Sequence, residues 1–438
     1  MKRVPLVLLL PLLAQAQDAI PLSLRRAVEI ALAPEGSARL QLAREAVRAA
    51  EARAGQARAA LLPDLSASLL YASQTTNLAA RGIQFTSPFP GFSIPSFVGP
   101  FTTFDARVTG TQSIFDFAAL RRMQSARRTV DSVHSESGSA ADTTTELVAR
   151  AYLAALRAQA SVETADANVK LGEELVNLAE TQRKAGTGTG IEVTRAQVQL
   201  ANEKQRRIVM ENESERARLQ LLRTIGLRLD AQITLTDALA YQPTEEITVA
   251  QALETARKLR DALAAQERRE EAARLTFDAV KWERLPSLAA FADYGSLGSG
   301  LGSTLPTRSY GLSLRVPIFD GGRRDARRAE AASLYRQERI RTRDLREQIE
   351  LDIRLALDAL RSAGAQVGTS REGLALAESE LASARRRYEA GVASSIEVTD
   401  AQTRLARARD NMVSALFNHN LARLDLNAAQ GAVERILP

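Results

Sequence analysis

Residues 349–388 read IELDIRLALDALRSAGAQVGTSREGLALAESELASARRRY. Apolar or small side chains recur in this stretch at alternating spacings of four and three residues, and Ser370 is the one polar member of the series. A stripe that followed 3.6 residues per turn would drift out of this register, so the fixed spacing predicts a coiled-coil seam. Every second seam position is almost always small, which predicts closely packed helix axes. The seam positions are Ile349, Ile353, Ala356, Leu360, Ala363, Val367, Ser370, Leu374, Ala377, Leu381, Ala384 and Tyr388.

The same register occurs a second time, earlier in the chain. Apolar or small residues run from Val148 to Ala179 at positions 205 residues before the seam. Further landmarks are duplicated in the same order: LP at 62–63 and 285–286, IFD at 114–116 and 318–320, and IEVT at 191–194 and 396–399. The sequence therefore predicts an internal duplication, with two copies of one structural plan.

Each copy is predicted to contain a helix, a β-hairpin, a very long helix, a glycine turn and a shorter return helix. The first copy spans 17–225, with the hairpin at about 64–114, the long helix at 118–184, the tip at 185–190 and the return helix at 191–225. The second spans 249–438, with a first helix over 249–283, the hairpin at about 287–317, the long helix at 323–389, the tip at 390–395 and the return helix at 396–430. Residues 226–248 lie between the two copies.

The proline positions support the long helices. All 14 prolines avoid residues 101–242 and 318–437, and an interior proline costs a helix about 3 kcal/mol. A helix over 118–184 is about 100 Å long at a rise of 1.5 Å per residue. A single globular core cannot bury such a rod. The predicted fold class is therefore mainly α, with long helices paired as coiled coils, and with membrane β-structure in the hairpins.

The hairpin segments change from the helical period to a period of two, with one mainly apolar face and one polar face. In the second strand this alternation runs through Phe104, Asp105, Ala106, Arg107 and Val108. Segments of this kind fit membrane β-strands, although a soluble sheet packed on helices alternates in the same way. Four strands cannot close a barrel, and lipid does not tolerate open sheet edges. Two chains would give 8 strands filled by side chains and three would give 12 strands around a passage, so a conduit favours a trimer.

The two hairpin loops differ in length and composition. Residues 74–103 are rich in Phe and Pro, whereas residues 296–307 are fewer and rich in Gly and Ser. Both loops are expected on the cell exterior, where long barrel loops lie. The first loop either folds over the mouth of the barrel or is disordered.

The N-terminus has the features of a secretory signal peptide. Lys2 and Arg3 precede an apolar run and a small-residue site at 14–16, so residues 1–16 are expected to be removed and the mature chain to begin at Gln17. The chain contains no cysteine. This excludes disulfides, zinc-thiolate sites and a lipid-modified N-terminal cysteine.

Composition and motifs argue against several classes of function. The two histidines, His134 and His419, lie far apart within helical stretches, where a surface or packing role is expected. No GxSxG motif, HExxH motif or phosphate-binding loop occurs, so neither an enzyme nor a metal or cofactor site is predicted. The 58 basic and 52 acidic residues are interleaved as on solvated helix faces, so nucleic-acid binding is not expected.

The duplicated landmarks, AVEIALAP at 27–34 and the paired tips at 185–197 and 388–402 together give a specific resemblance. The chain resembles the TolC-type outer-membrane efflux protein family over about residues 21–431. The resemblance implies a homotrimer with a twelve-stranded β-barrel, four strands from each protomer, and an α-helical tunnel through the periplasm. It implies that residues 226–248 belong to a mixed equatorial belt around this tunnel, and they are called the equatorial segment below. It also implies a periplasmic adaptor (membrane fusion) protein, an inner-membrane transporter and outer-membrane lipid as partners.

The resemblance implies docking tips as well. Gly186 and Gly391 match the family's tip-turn glycines, near which adaptors dock. A tight reversal between two packed helices independently favours glycine, which adopts positive φ without a steric penalty.

The periplasmic entrance is the second site that the resemblance implies. Glu397 and Asp400 match the acids that ring the entrance in the family, and a spacing of three places them on one helix face. The alternative is that they are solvated acids which complement the helix dipole. Tyr388 and Glu192 match gate-linking positions. Ala393 stands where the family carries an arginine, so a different latch is expected.

The resulting hypothesis is an outer-membrane duct of a tripartite efflux or type I secretion system, with its helical tunnel in the periplasm. Such a duct conducts substrates passively from an adaptor and transporter to the cell exterior. The alternative is a periplasmic coiled-coil scaffold or adaptor. The sequence does not indicate the cargo.

Overall fold

The computed structural model describes residues 20–83, 96–244 and 247–436. The predicted signal peptide at 1–16 lies outside the described residues, as does the middle of the predicted loop 74–103. The chain divides into two compact units. Unit 1 consists of residues 1–45, 135–263 and 344–438, and unit 2 consists of residues 46–134 and 264–343.

Helices make up most of the fold. They are α1 (Leu24–Leu32), α2 (Ala38–Ala59), α3 (Phe117–Lys184), α4 (Gly190–Ile225), α5 (Val249–Leu259), α6 (Asp261–Trp282), α7 (Arg323–Glu389) and α8 (Ser395–Ala429). The strands are β1 (Ile20–Leu22), β2 (Asp64–Asn77), β3 (Phe97–Phe115), β4 (Ile233–Leu235), β5 (Ser287–Gly298) and β6 (Leu305–Arg315). Short 3-10 turns occupy Ala79–Arg81, Leu301–Ser303 and Val433–Ile436. None of the described helices is both long and apolar enough to cross a membrane.

The seam residues of α7 are buried as their spacing predicts. Ile353, Val367 and Ala384 are almost fully enclosed, and the remaining seam positions of the helix are buried or half-buried. The positions between them are mostly exposed, as at Arg354 and Arg361. The stripe is therefore continuous along the part of α7 that belongs to unit 1.

The main core of unit 1 is built around Tyr152 of α3. This side chain is fully buried, and its hydroxyl donates a hydrogen bond of 2.9 Å to the carbonyl oxygen of Leu22. β1 pairs in parallel with β4 at this point, and the Leu24 N–H donates to the Asp237 carboxylate at 2.7 Å. The beginning of the first copy is thus attached to the equatorial segment.

Two polar residues of α8 hold the end of the equatorial segment. His419 is buried, and its Nε2 lies 3.0 Å from the Gln242 carbonyl oxygen. The Asn420 amide donates to the Ala240 carbonyl at 2.9 Å. His419 therefore has the packing role expected from the sequence. In unit 2, His134 is more than half exposed and lies 3.6 Å from Glu51.

The first helix of the second copy differs from the expected single helix over 249–283. It is divided into α5 and α6 at Arg260, which has extended backbone. The Arg260 guanidinium donates to the Ala429 carbonyl at 3.1 Å and to Asp352 at 3.2 Å. Gly431 has a φ of +68° and packs against the backbone of Arg260. A Cβ at position 431 would lie 2.7 Å from the Cα of Arg260. The interruption between α5 and α6 thus provides a hydrogen-bond donor for the carbonyl group at the end of α8.

Unit 2 contains a four-stranded antiparallel sheet with the order β2-β3-β5-β6. The strands β2 and β3 extend into the loop predicted at 74–103, because Gln74 pairs with Phe101 and Asn77 pairs with Phe97. The register shifts between Gln74 and Thr76, which places the Gly99–Pro100 segment where the ladder is interrupted. A proline has no N–H to donate, so a bulge is where a strand accepts it. The predicted loop 74–103 is correspondingly shorter.

The helical part of unit 2 packs through small polar residues of α3. The Ser125 hydroxyl donates to the Ala272 carbonyl and the Ser132 hydroxyl donates to the Ala265 carbonyl, both at 2.9 Å. Both serines are buried. Their short side chains let α3 and α6 lie close together while each hydroxyl remains bonded.

A group of acids lies where α3 approaches the start of α6 in unit 1. Gly138 permits this approach, since a Cβ there would lie 1.8 Å from Asp261 Oδ2. Burial, followed by the charges of Asp261 and Glu434, raises the pKa of Asp142 from 3.8 to about 6. The folded protein therefore binds more protons at this site than the unfolded chain between these two values.

The first prediction concerns the pH dependence of this acid. The pKa of Asp142 is raised in the folded protein, so its protonated carboxyl contributes to the stability of the fold. This contribution is complete below pH 3.8 and is lost as pH rises through about 6. We expect Asp142→Asn to stabilise the protein at pH 7.5 by about 1–2 kcal/mol, after allowance for solvent screening of a half-buried group. The thermal midpoint of the helical circular-dichroism signal measures this.

The control is Asp358→Asn, which changes an acid that is three-quarters exposed and should shift the midpoint little at any pH. The advantage of Asp142→Asn should shrink as the pH falls from 7.5 to 4. An advantage of the same size at both pH values would show that Asp142 does not titrate in this range.

Candidate functional site at the helix tips

Two glycine turns join the long helices of unit 1 to their return helices. Gly186 follows α3 with a φ of +78°, and Gly391 follows α7 with a φ of +72°. Apart from their chain neighbours, no described residue has an atom within 4 Å of the position of a Cβ at either glycine. Backbone conformation, rather than crowding, therefore requires glycine at the two tips.

The two turns have the same hydrogen bonds. Gly186 N–H donates to the Arg183 carbonyl at 3.1 Å, and Thr187 N–H donates to the Gln182 carbonyl at 3.0 Å. Gly391 and Val392 repeat the pair with the carbonyls of Tyr388 and Arg387, both at 3.0 Å. This is the Schellman arrangement, which satisfies carbonyl groups at a helix C-terminus.

The first turns of the return helices differ although their sequences match. Glu192 accepts a hydrogen bond of 2.8 Å from the backbone N–H of Thr189, so it caps its own helix α4. Glu397 occupies the equivalent position in α8 but lies 3.3 Å from Arg387 Nε. In the first copy the glutamate therefore caps its own helix, whereas in the second copy it forms an ion pair across the turn.

Arg387 is a residue at this site that the sequence reasoning missed. The family arginine was expected at position 393, where this chain has Ala393, but Arg387 supplies a cation to Glu397 from the last turn of α7. Both side chains are about half exposed, so the pair fixes geometry more than it stabilises the fold. The run of three arginines at 385–387 is the signal that could have indicated it.

Tyr388 is buried at the base of the second tip. It packs with Val398, Ala401 and Leu405 of α8 and with Leu175 of α3. Its hydroxyl has no hydrogen-bond partner among the described residues. The side chain thus acts as an apolar contact that joins three helices.

The structure brings Tyr388 and Glu192 close together. Burial, and then the Glu192 charge, raise the pKa of the Tyr388 hydroxyl. The Tyr388 carbonyl also accepts a hydrogen bond of 3.0 Å from the Gln182 amide of α3. The two tips are therefore connected through the residues next to both turns.

Asp400 lies one turn after Glu397 on α8, and both are exposed. Unlike Glu397, Asp400 forms no ion pair within the part of the chain that the structure describes. Arg385 connects α7 to α3 through Glu174 at 3.1 Å and also contacts Glu389. Of the two acids of α8 at this tip, Asp400 is therefore the one without an ion pair to a described residue.

The tips carry exposed apolar side chains. Ile191, Val392 and Ile396 are each at least half exposed. Among the described residues, no three His, Asp or Glu side chains are grouped so that they could hold a metal ion. Such a surface suits contact with another macromolecule.

Comparison with protein families gives a match over most of the chain. A model described as "Outer membrane efflux protein" matches residues 30–227 and again residues 252–432. The unmatched residues between these ranges include most of the equatorial segment. Each half of the chain is therefore similar to the same family.

Two relatives cover nearly the full length. The pyoverdine export outer membrane protein OpmQ of Pseudomonas putida is 27% identical over 416 residues, which cover 92% of this chain and 83% of that protein. Protein CyaE of Bordetella pertussis is 27% identical over 422 residues, which cover 94% of this chain and 85% of that protein. The similarity is thus spread over the whole architecture.

Solved structures share the fold. The outer-membrane channel OprN has a TM-score of 0.80 and 18% identity, with 93% of this chain and 90% of that chain covered. At this identity the similarity concerns the fold alone.

The second prediction concerns the left-handed turn. Alanine at Gly186 would have to adopt positive φ at a cost of about 1–2 kcal/mol, so local opening of the first tip should rise roughly 5- to 30-fold. Trypsin cleavage after Arg183 and Lys184 should accelerate by a similar factor, because cleavage follows the open population.

Gly190→Ala is the matched control at the same tip. Gly190 begins α4 with ordinary φ, and no atom lies within 4 Å of its Cβ position, so alanine should leave cleavage unchanged or slow it. Equal acceleration in both variants would mean that positive φ is not what the turn requires.

Proposed function

This chain belongs to the outer membrane efflux protein family, and we propose that three copies of it form one passive duct. The protein is an outer-membrane channel component of an efflux or secretion system, with its helical part in the periplasm. The observation that carries the proposal is the four-stranded sheet, whose two faces have opposite polarity and whose two edges are open in a single chain.

The apolar face of the sheet is suited to lipid. Side chains of this face stay exposed in the protomer, including Val108 at 51% and Tyr310 at 82%. They belong to different strands but to one face. Val108 pairs with Ala67 and with Tyr294, and Tyr310 pairs with Ala292, which lies two residues from Tyr294 on the same face of β5. An outward apolar band of this kind is what a membrane strand presents to hydrocarbon.

The opposite face is polar and carries its own ion pairs. Arg107 of β3 contacts Asp105 on the same strand and Asp293 on β5. The Ser309 hydroxyl of β6 donates to the same Asp293 carboxylate. A network that crosses three strands in this way suits a water-filled interior, so we assign this face to the lumen.

The open edges determine the number of chains. β2 and β6 each have a neighbour on one side only among the described strands, and unpaired backbone groups are costly in hydrocarbon. Pairing β6 of one copy with β2 of the next closes the sheet. Two copies give about 8 strands, whose interior is filled by side chains, whereas three give about 12 and leave a passage.

The tips around Gly186 and Gly391 are proposed to receive a periplasmic adaptor, which connects the duct to an inner-membrane transporter. The exposed apolar residues Ile191, Val392 and Ile396 support this assignment, because exposed apolar groups on a helix-turn-helix surface favour contact with another protein. The hydrogen-bonded glycine turns hold these three side chains at the tips.

The acids of α8 are proposed to line the periplasmic entrance. Three chains would bring three copies of Glu397 and Asp400 to one mouth, with Tyr388 and Glu192 linking the hairpins behind them. Because Arg387 compensates Glu397, the negative field at the mouth would come mainly from Asp400. A ring of carboxylates attracts cations and binds multivalent ones best.

The third prediction tests the faces of the sheet. Val108→Arg should impair assembly, since an arginine on the lipid face costs about 2–4 kcal/mol near the bilayer midplane. Thr111→Arg, on the polar face of the same strand, should assemble normally. Trimer yield from outer membranes, measured by light scattering in mild detergent, separates the two variants. The reverse ranking would place lipid on the polar face, and a stable parent monomer would contradict the shared barrel.

The fourth prediction tests the entrance and the duct together. Single-channel current is recorded in planar bilayers, with a trivalent cation added on the periplasmic side. Asp400→Asn should weaken the block about tenfold or more, and Glu397→Gln by less than about threefold because Glu397 is already paired.

Asp358→Asn serves as the charge-matched control and should behave as the parent. Equal block of the parent and Asp400→Asn would show that Asp400 does not line the mouth. A parent that forms no channel would contradict the duct itself.

A further inference from the structure

Charge is distributed unequally between the two units. Unit 2 holds 24 of the 58 Lys and Arg residues but only 15 of the 52 Asp and Glu residues. Its formal charge is therefore +9, although the whole chain carries only +6. The four strands of its sheet contain three basic and three acidic residues. The surplus positive charge thus belongs to the helical part of unit 2.

Part of this surplus lines a groove between α2, α3 and α6. The groove has a volume of about 680 Å³. Four arginines line it: Arg121, Arg127, Arg128 and Arg274. An open groove with several guanidinium groups is suited to an anion, because arginine binds phosphate oxygens through paired N–H donors.

Two of the four arginines are compensated by acids of the same groove. Arg128 lies 3.0 Å from Asp131 and 3.3 Å from Glu271. Arg274 lies 3.9 Å from the same Glu271. These contacts hold the two side chains in place and use the charge of both acids.

The other two arginines form no ion pair with a described acidic residue. Arg121 donates a hydrogen bond of 2.8 Å to the neutral amide of Gln124, and Arg127 is exposed and forms no ion pair with any described residue. The remaining acid of the groove, Glu51, contacts His134 instead. The groove therefore presents two guanidinium groups whose charge is not neutralised within the described chain.

An aromatic cluster lies at the end of α3 and α6 that adjoins the sheet. The rings of Phe115 and Phe117 are 4.3 Å apart, and those of Phe117 and Trp282 are 5.0 Å apart. Phe115 pairs with Leu288, which pairs with Leu314 on the apolar face of the sheet. The cluster therefore continues that apolar face to the start of the helices.

Helix geometry places two of the arginines on the same side of α3 as Phe117. Arg121 and Arg128 follow Phe117 by four and eleven residues, so both lie on its face of the helix. At 1.5 Å per residue, Arg121 lies about 6 Å below the level of Phe117, whereas Arg127 and Arg128 lie about 15–17 Å below it. The headgroup zone of a bilayer leaflet is about 5–8 Å thick.

The α3 and α6 walls of the groove are away from the open edges of the sheet, whereas its α2 wall leads to the edge strand β2. Phe115 ends β3 and Trp282 precedes β5, which are the two inner strands in the order β2-β3-β5-β6. A neighbouring copy in the proposed trimer pairs at β2 and β6. Contact with that copy therefore leaves the side above α3 and α6 accessible from the membrane.

We infer that this groove binds an anionic phospholipid of the periplasmic leaflet. Arg121, which lies at the headgroup depth, holds its phosphate. The uncompensated charge of Arg127 adds to the attraction, and the acyl chains lie against Phe115, Phe117 and Trp282. The inference rests on the proposed function, since it takes the apolar face as the lipid face. A basic pocket beside an apolar anchor is a chemistry that selects anionic headgroups over zwitterionic ones.

The test uses purified full-length trimers in detergent and native mass spectrometry. Phosphatidylglycerol is titrated against phosphatidylcholine. The parent should bind phosphatidylglycerol at up to one site per protomer and prefer it to phosphatidylcholine. The double variant Arg121→Gln/Arg127→Gln should weaken phosphatidylglycerol binding about tenfold.

The matched control is Arg257→Gln/Arg361→Gln, which removes two exposed arginines of unit 1 and the same total charge. It should bind phosphatidylglycerol as the parent does. Equal weakening in both double variants would mean that total charge, and not the groove, attracts the lipid. Unchanged binding in Arg121→Gln/Arg127→Gln would also overturn the inference.

Glycerol phosphate, which has the headgroup charge but no acyl chain, distinguishes a lipid from a free anion. It should compete poorly with the lipid; competition at equal concentration would identify an anion site for soluble cargo and overturn the lipid assignment. Conductance is measured on the same preparations. A conducting parent whose groove variant binds lipid normally contradicts the lipid site alone, whereas a parent that does not conduct contradicts the proposed function.

Discussion

A helix of 68 residues is the constraint on which the rest of the structure depends. Such a helix is about 100 Å long, so no single core can bury it and its packing must be distributed along its length. In α7, which has 67 residues, the seam does this with a buried or half-buried side chain every three or four residues, from Ile349 to Tyr388. The return helices, the equatorial segment and the tips are arranged along these rods.

The features that could be predicted from the sequence are those set by neighbouring residues. The spacing of Ile353 and Val367 defines a helix face by itself, and the alternation around Val108 defines a strand face. Gly186 and Gly391 were predictable because reversal between two packed helices requires positive φ. In each case, the residues that determine the structure lie within one or two turns of one another.

The features that could not be predicted depend on residues far apart in the chain. Arg260 interrupts a helix because its guanidinium meets Ala429 and Asp352, which are 169 and 92 residues away. Gln74 extends β2 because Phe101 lies opposite it. The partner of Glu397 was undetermined for another reason. A capping bond and a pair with Arg387 are both short-range, and they differ little in energy at an exposed site.

The unequal use of Glu192 and Glu397 has a consequence for symmetry. Six identical hairpins around one axis would have sixfold symmetry, and every tip would have the same mobility. Glu192 is bonded to the start of its own helix, whereas Glu397 is bonded to Arg387 of the preceding helix. In the proposed trimer, hairpins of two kinds would therefore alternate around the axis, and the symmetry would be threefold rather than sixfold.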